Sequence, residues 1–490
     1  MGLYDNRATR RKLTQTIDWW LVGCYFIMVV IGLLNIYASV HSVEGGSFFD
    51  PGLRSGKQII WLGISIVTGV LILFAIPPRI YDSLAPLIYI ITILLLVAVI
   101  FVGGEVKGSR SWFTLGPIRF QPAEISKIAT SLMLAKVMSQ TDYKIGKARD
   151  FIVTALLILV PMGIIVAQKE TGSALVYCGY IFMLYREGLS GWYIVAAGLA
   201  ILIFILTLTA GSYYTIFALY CLSMIYLGLK GGKWKILLGA GLPVALLFGF
   251  LPQIFGIIAE KIGNPESFFM EIKPLYILLA MIAIVIPFIV RSAYRNLHYY
   301  GYMVAIGIIA GTLFSFSTDF IFNNILQDHQ RGRIEVLLGL KEDPSGVGYN
   351  VNQSMIAIGS GGAVGKGYLQ GTQTTFGFVP EQSTDFIFCT IGEEWGFLGS
   401  SAVILIFVFL IWRIIHDTEQ SREAFTRIYG YCCACCIFMH LFINIGMTIG
   451  LMPVIGIPLP FISYGGSALL SFSTMLFIFI ALRKNEKKYF

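Results

Sequence analysis

About fourteen stretches of roughly 15 to 25 predominantly apolar residues follow one another along the chain: 19–39, 58–76, 84–102, 122–138, 151–167, 172–186, 190–209, 212–229, 236–258, 274–290, 299–318, 386–413, 426–450 and 466–483. No other feature constrains the fold as tightly. A backbone crossing lipid must satisfy its own N–H and C=O groups, and continuous apolar segments of this length do so as helices. The expected fold class is therefore all-α: a polytopic integral membrane protein of about 14 transmembrane helices, with 1–490 as a single multi-pass membrane domain. Composition agrees, since 57% of the 490 residues are hydrophobic and only 13% are charged, a balance foreign to soluble globular chains.

Charge placement predicts the topology. Arg7, Arg10, Arg11 and Lys12 precede the first apolar segment, which then reads as an uncleaved anchor entering from the cytoplasm. With an even number of spans and both termini cytoplasmic, inner loops and tails hold roughly 22 of the 35 Lys and Arg residues. The inner anchors are Lys144, Lys147 and Arg149; Lys230, Lys233 and Lys235; Arg291 and Arg295; and Arg483, Lys484, Lys487 and Lys488. The net charge of +8 thus reflects topology and attraction to anionic membrane lipids, and no nucleic-acid partner is expected. Eight cysteines lie almost wholly inside apolar segments, as packing residues do. Cys432, Cys433, Cys435 and Cys436, with His440 one turn on, have the composition of a metal cluster, but few second-shell partners accompany them and packing is the expected role.

By parity, 319–385 is a large extracytoplasmic loop and 103–121 a shorter outer loop with a Gly-Pro turn and an interfacial Trp112. Outer loops should be poor in cations, yet Lys107, Arg110, Arg119, Arg331, Arg333 and Lys366 all fall there. A local breach of the charge rule asks for an anion, and the planar fork of Arg suits phosphate oxygens; headgroup snorkelling is the alternative for any one of these cations. The run Gly359-Ser360-Gly361-Gly362 with Gly365-Lys366-Gly367 is expected to leave backbone amides free for the same anion. Glu124 and Lys127, three residues apart on a helix opened by Pro122, should pair, either as neutralised buried charges or as part of a site.

In Pro380-Glu381-Gln382-Ser383-Thr384-Asp385-Phe386-Ile387-Phe388, carboxylates and hydroxyls stand at the mouth of an apolar helix. Asp385 could cap that helix or, partly buried, serve as a general base; both readings are open. Glu381, one turn earlier, could share a divalent cation (Mg or Mn) with it, the one cofactor the residues suggest, although no compact acidic motif marks a metal site. Polar breaks at 168–174, and at Asn444, Gly446 and 453–467, suit backbone that lines a cavity or is buried in protein.

Together these segments resemble the SEDS family (shape, elongation, division and sporulation). The matching residues are Gly-Ser-Arg-Ser-Trp at 108–112, Arg-Phe-Gln-Pro-Ala-Glu-Ile-Ser-Lys at 119–127, Gln-Ser-Met-Ile-Ala-Ile-Gly-Ser-Gly-Gly at 353–362, the 380–388 stretch, Ile-Gly-Glu-Glu-Trp-Gly-Phe-Leu-Gly at 391–399 and the proline-glycine run at 453–467. Gly-Lys-Gly-Tyr-Leu-Gln-Gly-Thr-Gln at 365–373 looks more like the elongation (RodA) branch than the division (FtsW) branch. The resemblance implies a peptidoglycan glycosyltransferase in the bacterial cytoplasmic membrane. Such an enzyme polymerises lipid II at the outer face for cell-wall elongation and shape, beside a class B penicillin-binding protein acting as transpeptidase. It places the family's essential acid on Asp385 and its accessory pair on Glu124 and Lys127. The implied substrate-binding set is Arg110, Arg119, Arg331, Arg333, Lys366, Gln353, Ser354, Thr384 and Glu381. Departures are Ser383 where His is common, Lys169-Glu170 where Pro-Asp is usual, and about four extra apolar segments within 190–292 added to a family core of about ten. A lipid II transporter, a division-type paralogue and a scaffold with recruiting helices remain the alternatives.

Overall fold

The structure, a computed structural model, describes residues 17–106, 109–115, 118–230, 242–262, 273–296, 299–326, 328–341 and 347–489. The chain divides into two compact units, Met1–Gly191 with Glu342–Phe490, and Trp192–Lys341.

The first unit opens with α1 (Trp19–Glu44), α2 (Arg54–Phe74) and α3 (Arg79–Val102). The 103–121 segment, expected as a loop, is an antiparallel meander of β1 (Gly104–Val106), β2 (Ser109–Leu115) and β3 (Ile118–Phe120). Here Gly104 faces Trp112, and Thr114 faces Arg119. Pro122 then starts α4 (Pro122–Met138), where its missing N–H costs nothing. Ala123, Ser126, Ala129, Ser131 and Ala135 let α4 sit at the centre, buried on nearly every side. After α5 (Ala148–Ala167), the 172–186 segment is interrupted: α6 (Thr171–Val176), a 3-10 turn over Tyr177–Gly179 and α7 (Tyr180–Arg186).

The second unit holds α8 (Trp192–Lys230), α9 (Leu242–Ile262), α10 (Pro274–Asn296), α11 (Tyr299–Asn324) and α12 (Asp328–Leu337), around Ile216, Tyr220, Leu278, Ile282 and Ile308. A Thr207–Ser315 hydroxyl contact of 3.0 Å ties α8 to α11.

The chain returns to the first unit with α13 (Val347–Ser360), α14 (Thr372–Thr375), α15 (Ile387–Glu419), α16 (Ala424–Thr448) and α17 (Gly466–Tyr489). Much of the expected 319–385 loop is therefore helical. The most enclosed of the long helices, α16 and α17, pack with α4.

Among the described residues ten helices are long and apolar enough to cross a membrane, which makes this a multi-pass membrane protein. The difference from fourteen has local causes. The α4 helix is short and charged, 172–186 is broken, 190–209 and 212–229 follow each other within α8 with a break between them at Gly211 (φ 83, ψ 162), and the apolar part of α9, Leu242–Ile258, is too short.

The α15 helix is itself broken at Gly396 (φ 65, ψ −162), a backbone region open essentially only to glycine. The freed groups pair with the glycine-rich loop before it: Lys366 N–H to Glu393 O and Gly367 N–H to Glu394 O, both 3.0 Å, and Phe397 N–H to Gly362 O, 2.9 Å. A Cβ on Gly396 would stand 2.2 Å from the Gly365 nitrogen. These loop amides thus serve the helix break, and the expectation that they stand free for an anion is corrected. Gly396→Ala should cost at least about 1–3 kcal/mol, read as a lowered thermal midpoint in detergent; an unchanged midpoint would contradict the close packing.

Candidate functional site

Asp385 lies just before α15, whose N-cap position is Phe386 with no side-chain cap. The residues around it are held by their backbone carbonyls. Ser383 O accepts from Tyr464 N–H (2.8 Å), Thr384 O from Ser463 Oγ (2.7 Å), and Asp385 O from Asn444 Nδ2 (2.8 Å). Gln382 Nε2 reaches back to Thr374 O (2.8 Å) and to the carbonyl of Ser39 on α1. Four elements therefore converge on the four residues 382–385: the 453–465 run, α16, α14 and α1. Gly456 (φ 76) lies against the carboxylate, and a Cβ there would stand 3.2 Å from Asp385 Oδ2. Asp385 is half-buried, with Thr384 and Glu381 beside it and Thr384 Oγ1 donating to Glu381 Oε2 at 3.0 Å.

Arg54 brings a cation to this place. From the first turn of α2 its Nη1 donates to Ser383 Oγ at 2.6 Å. Sequence reasoning missed it, because an arginine opening an apolar helix looks like an interfacial anchor and its partner lies 329 residues away.

Glu124 and Lys127 pair as expected, with Lys127 Nζ 2.8 and 2.9 Å from the two carboxylate oxygens. They are 2% and 1% exposed, enclosed by α16 and α17. His440 Nε2 lies 2.8 Å from Lys127 Nζ, and Ser471 Oγ donates to Glu124 O at 2.7 Å. The four cysteines of α16 are buried, and Cys436 donates to Tyr180 OH.

The other expected substrate residues are dispersed. Arg110 is exposed on β2, and its backbone N–H donates to Gln168 O at 3.3 Å. Ser111 Oγ meets Glu170 Oε2 at 2.9 Å, so the sheet and the 168–174 break form one patch. Arg119 lies in β3, its side chain outside the described residues, as is Lys107. Arg331, in the second unit, pairs with Glu335 (2.8 Å) and covers Phe322, with Arg333 on the same helix. Lys366 is paired with Glu393 at 2.7 Å, a carboxylate that also accepts from Gln373 N and Thr374 N, both 2.9 Å. Gln353 is half-buried on α13. Ser354 is fully buried and donates to Thr448 O at 2.9 Å; this hydroxyl ties α13 to α16 and does not meet a substrate, a correction to its expected role.

The unit thus combines an aspartate fixed through its backbone carbonyl, an arginine bound two residues before it and a buried charge pair. The chain matches the FtsW/RodA/SpoVE family model, described as "Cell cycle protein", over residues 18–224 and 275–488, and it belongs to that family. The unmatched 225–274 includes α9. It is similar to the peptidoglycan glycosyltransferase MrdB of Escherichia coli strain K12, 29% identical over 462 residues, covering 94% of this chain and 93% of that one. The peptidoglycan glycosyltransferase RodA of Treponema pallidum is likewise 29% identical over 473 residues, covering 94% and 96%. Among solved structures, the rod shape determining protein RodA of Thermus thermophilus shares the fold at TM-score 0.53 and 20% identity, covering 96% of this chain and 97% of that one. A chain from a structure described as structural coordination of polymerization and crosslinking by a peptidoglycan synthase complex does so at TM-score 0.58 and 22% identity, covering 96% and 98%.

Removing one partner of a buried ion pair strands the other, at about 3–5 kcal/mol, whereas replacing both with apolar residues costs less. Lys127→Met should therefore lower the thermal midpoint more than the double change Glu124→Leu/Lys127→Met. Equal losses would show that the two charges are not coupled.

Proposed function

We propose that this chain is a peptidoglycan glycosyltransferase that polymerises lipid II at the outer face of the bacterial cytoplasmic membrane, with both termini cytoplasmic. The observation that carries the reading is Asp385: half-buried, its residue held through the carbonyl by Asn444, and two residues from the Arg54 contact at Ser383. The names of the curated relatives supply the reaction class, and the charge asymmetry of the loops supports the orientation.

Asp385 accepts the proton of the acceptor sugar hydroxyl as that oxygen attacks the anomeric carbon of the donor. The bond to the polyprenyl pyrophosphate breaks in the same displacement, with inversion, and its electron pair leaves with the phosphate oxygen. Arg54, Arg110 and Arg119 are the cations proposed for the pyrophosphate. The lipid tail stays in the bilayer throughout, which accounts for an embedded catalyst.

Among the described residues no group of three or more His, Cys, Asp or Glu could hold a metal ion. Asp385 and Glu381, with a substrate phosphate, are the residues that would hold a Mg or Mn ion, which would neutralise the leaving group. The proposed partner is a class B penicillin-binding protein, supported by the described coupling of polymerization and crosslinking in the related complex.

Asp385→Asn should reduce polymer formed from labelled lipid II by purified protein about 10²- to 10⁴-fold, the usual worth of a general base, with the thermal midpoint retained. Wild-type turnover by that variant would overturn the reading. Transbilayer movement of lipid II without polymer from the wild type would favour a transporter.

A further inference from the structure

His440 has two partners and a wall. Its Nε2 lies 2.8 Å from Lys127 Nζ, its Nδ1 lies 3.1 Å from Pro458 O, and the ring meets Phe472 edge to face at 4.7 Å between centroids. It is 1% exposed. Lysine ammonium offers only donors and a carbonyl only acceptors, so both contacts are hydrogen bonds in one arrangement: a neutral ring with its proton on Nδ1, donating to Pro458, and with its Nε2 lone pair facing Lys127. Lys127 gives its other hydrogens to Glu124, which uses all three.

Pro458 belongs to the run that borders Asp385. Its neighbour Ile457 gives its carbonyl to Asn444 Nδ2 at 2.7 Å, and the same amide holds Asp385 O. Asn444 is one helical turn beyond His440, so α16 grips this run at two adjacent carbonyls, and two residues upstream Gly456 faces the Asp385 carboxylate.

We propose that His440 is a positioning residue for the transfer reaction, fastening the 453–465 run to the buried Glu124–Lys127 pair so that Gly456 and Asn444 fix the base. The role depends on the assignment of Asp385 as that base. A misplacement of about 1 Å at a reacting group can cost on the order of 10²-fold in rate.

The test is steady-state polymerisation of labelled lipid II by the full-length protein in detergent, with thermal midpoints, for wild type, His440→Leu, His440→Gln and Asp385→Asn. Glutamine can accept from Lys127 and donate to Pro458; leucine can do neither. His440→Leu should lose about 10- to 100-fold in kcat with KM changed less than about twofold, and His440→Gln should recover most of that loss. If His440→Leu fails to fold, His440→Gln still decides: near-wild-type kcat supports the role and a loss equal to that of Asp385→Asn overturns it. Wild-type kcat for His440→Leu beside an inactive Asp385→Asn overturns the positioning role and leaves the base intact. A raised KM at constant kcat overturns it too. Wild-type turnover by Asp385→Asn overturns both.

Discussion

Non-helical backbone inside a membrane protein survives only where something other than water satisfies it. Two such breaks meet within the first unit: the 380–386 segment before α15 and the 453–465 run before α17. Each gives carbonyls to side chains of its neighbours, and each bonds the other, through Tyr464 N–H to Ser383 O and Ser463 Oγ to Thr384 O. Gln58 on α2 completes the clasp, donating to Ser463 O at 3.3 Å and accepting from Gly465 N–H at 3.2 Å. Asp385 owes its position to this mutual satisfaction, because no regular element carries it.

The charges follow the same economy. Glu124–Lys127, Lys366–Glu393 and Arg413–Asp18 are all at least half-buried and hydrogen-bonded within the first unit. Each neutralises what lipid would penalise, and the last two tie a loop or a helix end to α15. Lys366 illustrates how a charge expected to bind an outside anion can be taken up inside: Glu393 holds it together with the amides that open α14.

Much of the architecture was legible because apolar length and period are local properties. Every apolar stretch read from the sequence coincides with helix where it is described, and Pro122 does open α4. What was misjudged depended on tertiary pairing. The break at Gly396 cannot be read from α15 alone, since the groups it frees are met by residues 361–367. Ser354 lies in a recognisable signature, yet its hydroxyl faces Thr448 across a helix interface. The 103–121 sheet escaped notice because strands of three and seven residues leave almost no periodic trace.

By itself the sequence determined that this chain lives in a membrane, where its helices lie, and that Glu124 and Lys127 pair, since hydropathy and a three-residue spacing act within one helix. Only the tertiary structure decided what stands beside Asp385. Asn444 and Gly456 meet Asp385 from beyond α15, and Arg54 reaches Ser383 from 329 residues away; spacing along the sequence carries no record of which buried donor will find which acceptor. That choice is made when backbone groups excluded from water must be satisfied by whatever the packed neighbours present.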